Sequence, residues 1–143
     1  MMPKSMFHDI HEGRQPHPPV ALLLGWKTIE FDDQKGFIRG EMQAKEAFLN
    51  PAGVIQGGMI CAMLDNAAGL AVLCTLEAGQ TAPSLELKTS FMRPATVGKY
   101  IGEAWIKSQG AGICFVEAQL LTTTGRLVAT ASATARLLIP RHV

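Results

Sequence analysis

The tightest constraint in this sequence is the run 57–76. It opens on Gly57-Gly58, and its only polar side chains are Asp65, Asn66 and Thr75. Glu77-Ala78-Gly79 closes it and Pro83 follows shortly after, so it reads as one long apolar helix with a start and a stop. It is apolar around most of its circumference, and such a helix must be enclosed on nearly all sides by its own protein. A lone carboxylate on that surface is costly unless it is paired, solvated or put to use. A central Asp also costs ~2.5–3.5 kcal/mol on membrane-insertion scales, so a core helix is expected here rather than a membrane span.

The rest of the chain must supply the enclosure. With 143 residues it is long enough for one domain with a sizeable core and too short for two ordinary ones. Residues 20–143 are expected to form that domain, behind an N-terminal extension 1–19. Apolar residues make up 48% and charged residues 17%, a globular composition. The formal net charge is +1 without a basic cluster, which gives no electrostatic case for nucleic acid or an anionic membrane. Cys61, Cys74 and Cys114 form no CxxC pair and fall in apolar segments, as reduced thiols in the cytoplasm would. The start of the chain, 1–11, has no apolar core of the kind a secretory signal carries.

Ahead of the helix, 1–19 holds His8, His11, His17 and Pro3, Pro16, Pro18, Pro19. His8 and His11 have a spacing that could grip a metal on a helix. No cysteine lies near them, and solvent-exposed histidines without a metal are expected. A short helical turn at 20–24 is stopped by Gly25. Segments 26–31 and 36–42 form a hairpin about Asp32-Asp33-Gln34-Lys35-Gly36, and 43–55 is a loop.

Behind the helix come four strand-like segments: 84–92, 99–108, 113–123 and 127–137. In the first, Leu85, Leu87, Thr89 and Phe91 share one face. In the last, Leu127, Ala129, Ala131, Ala133, Ala135 and Leu137 point one way, while Val128, Thr130, Ser132, Thr134 and Arg136 point the other. A row of alanines lets a helix approach closely. Short Gly/Pro turns and no intervening helices imply antiparallel pairing. The expected fold class is therefore α+β, one long central helix wrapped by a curved antiparallel sheet of about six strands.

That layout resembles the hotdog fold. Asn50-x-x-Gly53-x-x-Gln56-Gly57-Gly58, with Asp65 seven residues after the second glycine, is similar to the PaaI-like branch of the acyl-CoA thioesterases. The likeness runs on through Ser84, the Phe91-Met92-Arg93-Pro94-Ala95 segment and Gly125-Arg126-Leu127-Val128-Ala129. It covers roughly residues 20–139. The family usually carries histidine where this chain has Gln56. Glutamine donates and accepts hydrogen bonds but does not titrate near neutrality.

The residue types fit the chemistry the resemblance implies. A thioester needs donors where negative charge develops on its oxygen, and a base or nucleophile. Its leaving thiol has a pKa near ~8.5, so the thiolate departs with little acid help. One carboxylate and a donor pocket then suffice, without histidine, metal or cofactor, coenzyme A being part of the substrate. Gly57 and Gly58 open a helix, where backbone N–H groups lack partners and the dipole favours negative charge. Seven residues separate Gly58 from Asp65, which at ~1.5 Å rise per residue is ~10 Å along the axis. That is too far for both to touch one carbonyl. If Asp65 works with these donors, it meets the Gly57 end of a second copy, in a two-fold dimer with antiparallel helices. The resemblance implies the same shared site, and assembly as a dimer or a dimer of dimers.

The expected roles are Asp65 as base or nucleophile, Gly57 with Gly58 as oxyanion donors, and Asn50 positioning the water or thioester. Ser84 would hydrogen-bond the carboxylate or the water, and Gln56 would contact the acyl carbonyl. Met59 with Met63, one turn apart, could line an acyl pocket, although core filling is the favoured reading of the pair. Arg93, Lys107 and Arg126 are candidates for the coenzyme A phosphates. The resemblance adds that the pantetheine arm runs near Gly112. Each has a plainer reading: a structural partner for Asp65, a turn at Asn50, close helix packing at Gly57-Gly58. A non-catalytic acyl-CoA-binding protein and a hotdog hydratase or dehydratase remain as alternatives, the latter short of a core histidine.

Overall fold

The computed structural model describes residues 2–140; Met1, residues 141–143 of the domain and with them His142 lie outside the described residues. The order is α1 (Met6–His11), α2 (Pro19–Leu24), β1 (Lys27–Asp32), β2 (Phe37–Ala44), a 3₁₀ turn (Glu46–Phe48), α3 (Gly57–Leu73), β3 (Ser84–Phe91), β4 (Gly98–Gln109), β5 (Ile113–Thr122) and β6 (Leu127–Arg136). All strands join one antiparallel sheet in the order β1-β2-β4-β5-β6-β3. This is the α+β architecture read from the sequence, with α3 against the concave face of a six-stranded sheet.

The local chemistry is visible at each joint. Gly25 ends α2 in the left-handed region at φ 66°. Between β1 and β2 the Asp32 carboxylate accepts from the backbone N–H of Gln34 at 2.9 Å and Lys35 at 3.0 Å, and Gly36 completes the turn. Gly40 and Gly102 face each other across β2 and β4. A Cβ at Gly40 would come within 2.3 Å of the Trp26 indole, and one at Gly102 within 2.6 Å of the Met42 methyl. Small residues in mid-strand thus make room for the largest side chain in the core.

α3 is shorter than the apolar run, with Cys74 as its C-cap. Ile60, Met63, Leu64, Ala67, Ala68, Ala71 and Val72 are buried against the sheet. The expectation of near-complete enclosure does not hold within one chain. Gly58 is exposed, and Asp65, Asn66, Gly69 and Leu70 are only half-buried, because the sheet covers one side of the helix alone.

Register shifts fall in four of the strand pairs, and two of them change the face a residue takes. In β6 the register slips so that Leu121 pairs with Leu127 and Leu120 with Ala129. The extra residue, Val128, is therefore buried at 2% exposure instead of lying on the outer face. Its carbonyl accepts the N–H groups of Met92 at 2.9 Å and Arg93 at 3.1 Å. In β3 the slip falls between Ser84 and Glu86. Strict alternation would put Ser84 on the outer face with Glu86; the bulge at Leu85 turns it toward α3.

The segment before α2 is built into the core. Phe7 is 4% exposed and stacks edge-on with Phe31, their centroids 4.9 Å apart. The Ser5 hydroxyl donates to the Leu73 carbonyl at 2.6 Å. His8 is buried rather than solvent-exposed, with Nε2 3.0 Å from the Cys74 carbonyl, so that nitrogen is the one carrying the proton. These contacts satisfy carbonyls at the C-terminus of α3 that the helix leaves open. Among the described residues no cluster of three or more His, Cys, Asp and Glu could hold a metal, and no helix is long and apolar enough to cross a membrane.

All three cysteines are free thiols. Burial pushes the Cys74 thiol up to about 12, with Asp33 and Asp32 adding to the effect, and burial raises Cys114 as well. Both therefore stay protonated and inert at neutral pH. In native protein a water-soluble disulfide reagent is expected to leave Cys74 and Cys114 unmodified, with all three cysteines reacting in denaturant. The raised Cys74 value also fixes a sign. The folded state keeps a proton that the unfolded thiol releases above ~8.5, so stability falls as pH rises from there toward about 12.

Candidate active site

The residues before α3 form a tight loop organised by Asn50. Its Oδ1 accepts from the backbone N–H of Ala52 at 2.9 Å and Val54 at 3.3 Å. The Asn50 N–H donates to the Val54 carbonyl at 2.8 Å. The turn reading of Asn50 is thus present in full, and both side-chain bonds use the oxygen. This loop delivers the chain to Gln56, whose N–H donates to the Phe48 carbonyl at 2.8 Å.

Gln56 is the N-cap of α3, in an extended conformation with ψ 133°, but its side chain caps nothing. It is exposed. Among the described residues no partner satisfies the N–H groups of Gly57 and Gly58, the first two donors of the helix. A Cβ on Gly58 would meet nothing within 4 Å. One on Gly57 would lie 3.3 Å from the tip of the Phe91 ring. Two free N–H groups, a helix dipole and bare backbone make an anion-favouring end. Gly57 also lines a recess of about 270 Å³ with Ile60, Phe91, Met92 and Arg93.

Two turns along the helix, Asp65 is half-buried, and its Oδ1 accepts a hydrogen bond from the Ser84 hydroxyl at 2.8 Å. This pair joins the central helix to the first strand after it. Asp65 flanks open space, lining a trough of about 410 Å³ with Asn66, Gly69, Leu70, Leu73 and the segment Thr81-Ala82-Pro83. Glycine at position 69, one turn past the carboxylate, leaves the approach unobstructed; a Cβ there would touch nothing within 4 Å.

The remaining expected site residues are dispersed. Met59 is half-buried against the core, and Met63 is fully buried, which makes Met63 core filling and not pocket lining. The Arg93 guanidinium donates to the Leu127 carbonyl at 2.8 Å and is otherwise exposed. Lys107 lies 3.9 Å from Glu117, and Arg126 sits exposed on the turn before β6. Gly112 has φ 97° in the β4–β5 turn, where its carbonyl accepts the Leu137 N–H. The structure therefore brings together Asp65 and Ser84, and separately Gln56, Gly57 and Gly58. Within one chain it does not bring these groups to each other.

The Thioesterase superfamily model matches residues 52–129, more than half of the chain and the stretch from the loop before α3 to the start of β6. The chain belongs to that superfamily. Acyl-coenzyme A thioesterase 13 of Mus musculus is 33% identical over 91 residues, covering 62% of this chain and 64% of that protein. The match thus spans less than two thirds of that relative's length. Among solved structures, a phenylacetic acid degradation-related protein from Ralstonia eutropha JMP134 is 40% identical, covers 91% of this chain and 98% of its own, and superposes with TM-score 0.87. The E. coli PaaI protein, at 19% identity, shares the fold with TM-score 0.81 over 93% of this chain and 94% of its own. The hotdog, PaaI-like resemblance read from the Asn50–Asp65 spacing therefore holds for this member of the superfamily.

Sequence reasoning passed over one feature. A cavity of about 370 Å³ lies between α1, the Trp26–Thr28 segment and the outer side of α3, and Asn66 is in its wall. Six of its thirteen lining residues lie in the segment 1–19. The signal was there in Phe7, an aromatic residue in a segment that otherwise reads as polar.

Proposed function

We propose that this superfamily member hydrolyses acyl-CoA thioesters to the free acid and coenzyme A. Asp65 acts as general base or nucleophile, and the N–H of Gly57, assisted by Gly58, holds the thioester oxygen. The observation that carries this reading is the Asp65–Ser84 hydrogen bond at 2.8 Å beside an open trough. Such a partner orients a carboxylate without neutralising it, so the carboxylate stays an acceptor for a water or an attacker of a carbonyl. Asn50 shapes the loop that presents Gly57, and its amide nitrogen is the end left for a substrate. Gln56 stands beside the donors and offers a hydrogen bond but no titrating group. Met59 and Arg93 flank the entry, and Gly112 marks the path of the pantetheine arm.

The spacing of the two halves argues for a dimer. Donors and carboxylate are ~10 Å apart on one helix, so a complete site takes its two parts from two chains. β3 is an edge strand of the sheet, and Leu85, Phe91 and Met92 on and beside it are 59%, 54% and 48% exposed. An unpaired edge with apolar side chains is a natural surface for a second copy. A dimer of dimers would use the outer sheet face in addition. Free, partly buried thiols fit a reducing cytoplasm.

The direct test is release of coenzyme A thiol from a panel of short, medium and aromatic acyl-CoAs by the full-length protein. Turnover above the uncatalysed rate by several orders of magnitude is expected for at least one member. Tight binding with no release of thiol would instead assign a non-catalytic acyl-CoA-binding role.

A further inference from the structure

Gly57, Cys61 and Asp65 follow one another at four-residue steps, so they form one row along α3. That row runs beside β3 in three rungs. At Gly57 a Cβ would lie 3.3 Å from the Phe91 ring. The Cys61 thiol donates to the Thr89 hydroxyl at 3.3 Å. Asp65 accepts from the Ser84 hydroxyl at 2.8 Å. The rungs thus follow β3 backwards, from its last residue to its first. β3 is an edge of the sheet, and Cys61 beside it is a half-buried free thiol. The outer two rungs belong to the two halves of the proposed active site. The middle rung, Cys61 with Thr89, has no part in the hydrolase reading.

A shared site pairs Gly57 with Asp65 of the partner subunit, and two-fold symmetry then pairs Asp65 with Gly57 of the partner subunit. Only one register of two antiparallel helices does both. It sets Cys61, midway between them, opposite Cys61 of the partner subunit. We propose that the two-fold axis passes through the Cys61–Thr89 rung, where a second copy docks with its β3 antiparallel to this one. The placement rests on the shared-site reading, and it adds the register of the interface and a pair of thiols at its centre. The strand agrees with the helix. Turning β3 about Thr89 sets Phe91 opposite Leu87 of the partner subunit, and Lys88 opposite Ser90 of the partner subunit. The first pair covers a ring that is 54% exposed, and the second keeps like charges from facing each other across the seam. Helices packed at ~8–10 Å leave ~3.5–5.5 Å between facing Cα atoms, which overlaps the ~4.4–6.8 Å of disulfides. The register is also sharp. Each residue by which the axis departs from Cys61 moves the two copies of Cys61 ~3 Å further apart along the helices.

The test is cross-linking of the full-length protein. It is treated with diamide, which takes one hydrogen from each of two thiols as their S–S bond forms, or with the short cross-linker bis(maleimido)ethane. Products are separated on a denaturing gel without reductant. Wild-type protein is expected to run mostly as one covalent dimer with at least one of the two reagents, and Cys61→Ser as the monomer. Moving the thiol across the rung, in a Cys61→Ser/Thr89→Cys double variant, should restore the dimer. A Cys61→Ser/Gly69→Cys variant should not, because the two copies of residue 69 lie ~24 Å apart along the helices in this register. The dimer locked at Cys61 should keep at least half of the unlocked turnover, since the bond joins atoms already in place. Absence of the covalent dimer with both reagents overturns the proposal, and so does equal cross-linking through position 69 or loss of turnover on locking. If such a failure comes with hydrolysis of acyl-CoA, the hydrolase reading stands without this interface. Cross-linking as expected in a protein that releases no thiol from any acyl-CoA removes the hydrolase reading and leaves the interface.

Discussion

Asp65→Asn is expected to lower kcat for acyl-CoA hydrolysis by ~10²–10⁴-fold, the usual contribution of a positioned base or nucleophile. The fold should survive the change. Asp65 is half-buried on a helix whose packing is carried by Ile60, Met63, Leu64, Ala67 and Val72, and the amide oxygen of asparagine still accepts the Ser84 hydroxyl. Binding of the substrate should survive as well, since the carboxylate is assigned a role in the chemical step. The measurements are single-turnover thiol release and acyl-CoA binding by calorimetry on the same preparation. Turnover close to wild type would end the assignment of Asp65, and with it the proposed mechanism. Ser84→Ala should be milder, because Ser84 orients the carboxylate and does not replace it.

The helix, its start at Gly57 and the antiparallel sheet are all legible in the sequence because hydrophobic period and turn chemistry act locally. The points that escape are those set by register between distant strands. Nothing in residues 84–92 announces that Leu85 sits in a bulge, yet that bulge is what swings Ser84 to Asp65. Val128 is the same case: its place in the alternation says outer face, and the slip against Leu121 makes it core. Asn50 shows the opposite limit. Its plain reading as a turn residue is fully realised, and only its unused amide end leaves room for a role with substrate. The N-terminal segment is hard to read for a physical reason as well. A six-residue helix has little apolar periodicity to read, so its burial rests on tertiary contacts to Phe31 and to the carbonyls ending α3.

The second large effect belongs to the donor end and decides whether the site is shared. Gly57→Pro removes one N–H and little else. Proline is well suited to the first position of a helix, Gln56 already has the extended ψ of 133° that a following proline requires, and the exposed Phe91 ring need shift only a few tenths of an ångström. Loss of a single oxyanion donor costs ~10²–10³ in kcat, so this variant should fold normally and turn over poorly. Mixing then separates two geometries. In a dimer of one Asp65→Asn chain and one Gly57→Pro chain, a site shared across subunits leaves one combination doubly damaged and the other intact. That intact site pairs Asp65 of the proline chain with Gly57 of the asparagine chain. Co-expressed under two affinity tags and purified as the mixed species, such a dimer should regain about half of the wild-type activity while either homodimer stays nearly inactive. If each chain instead housed its own site, both sites in the mixed dimer would carry one lesion and no activity would return. If Asp65 acts with the free donors of Gly57-Gly58, the ~10 Å between them predicts the first outcome, because no rearrangement short of unwinding α3 brings them to one carbonyl within a single chain.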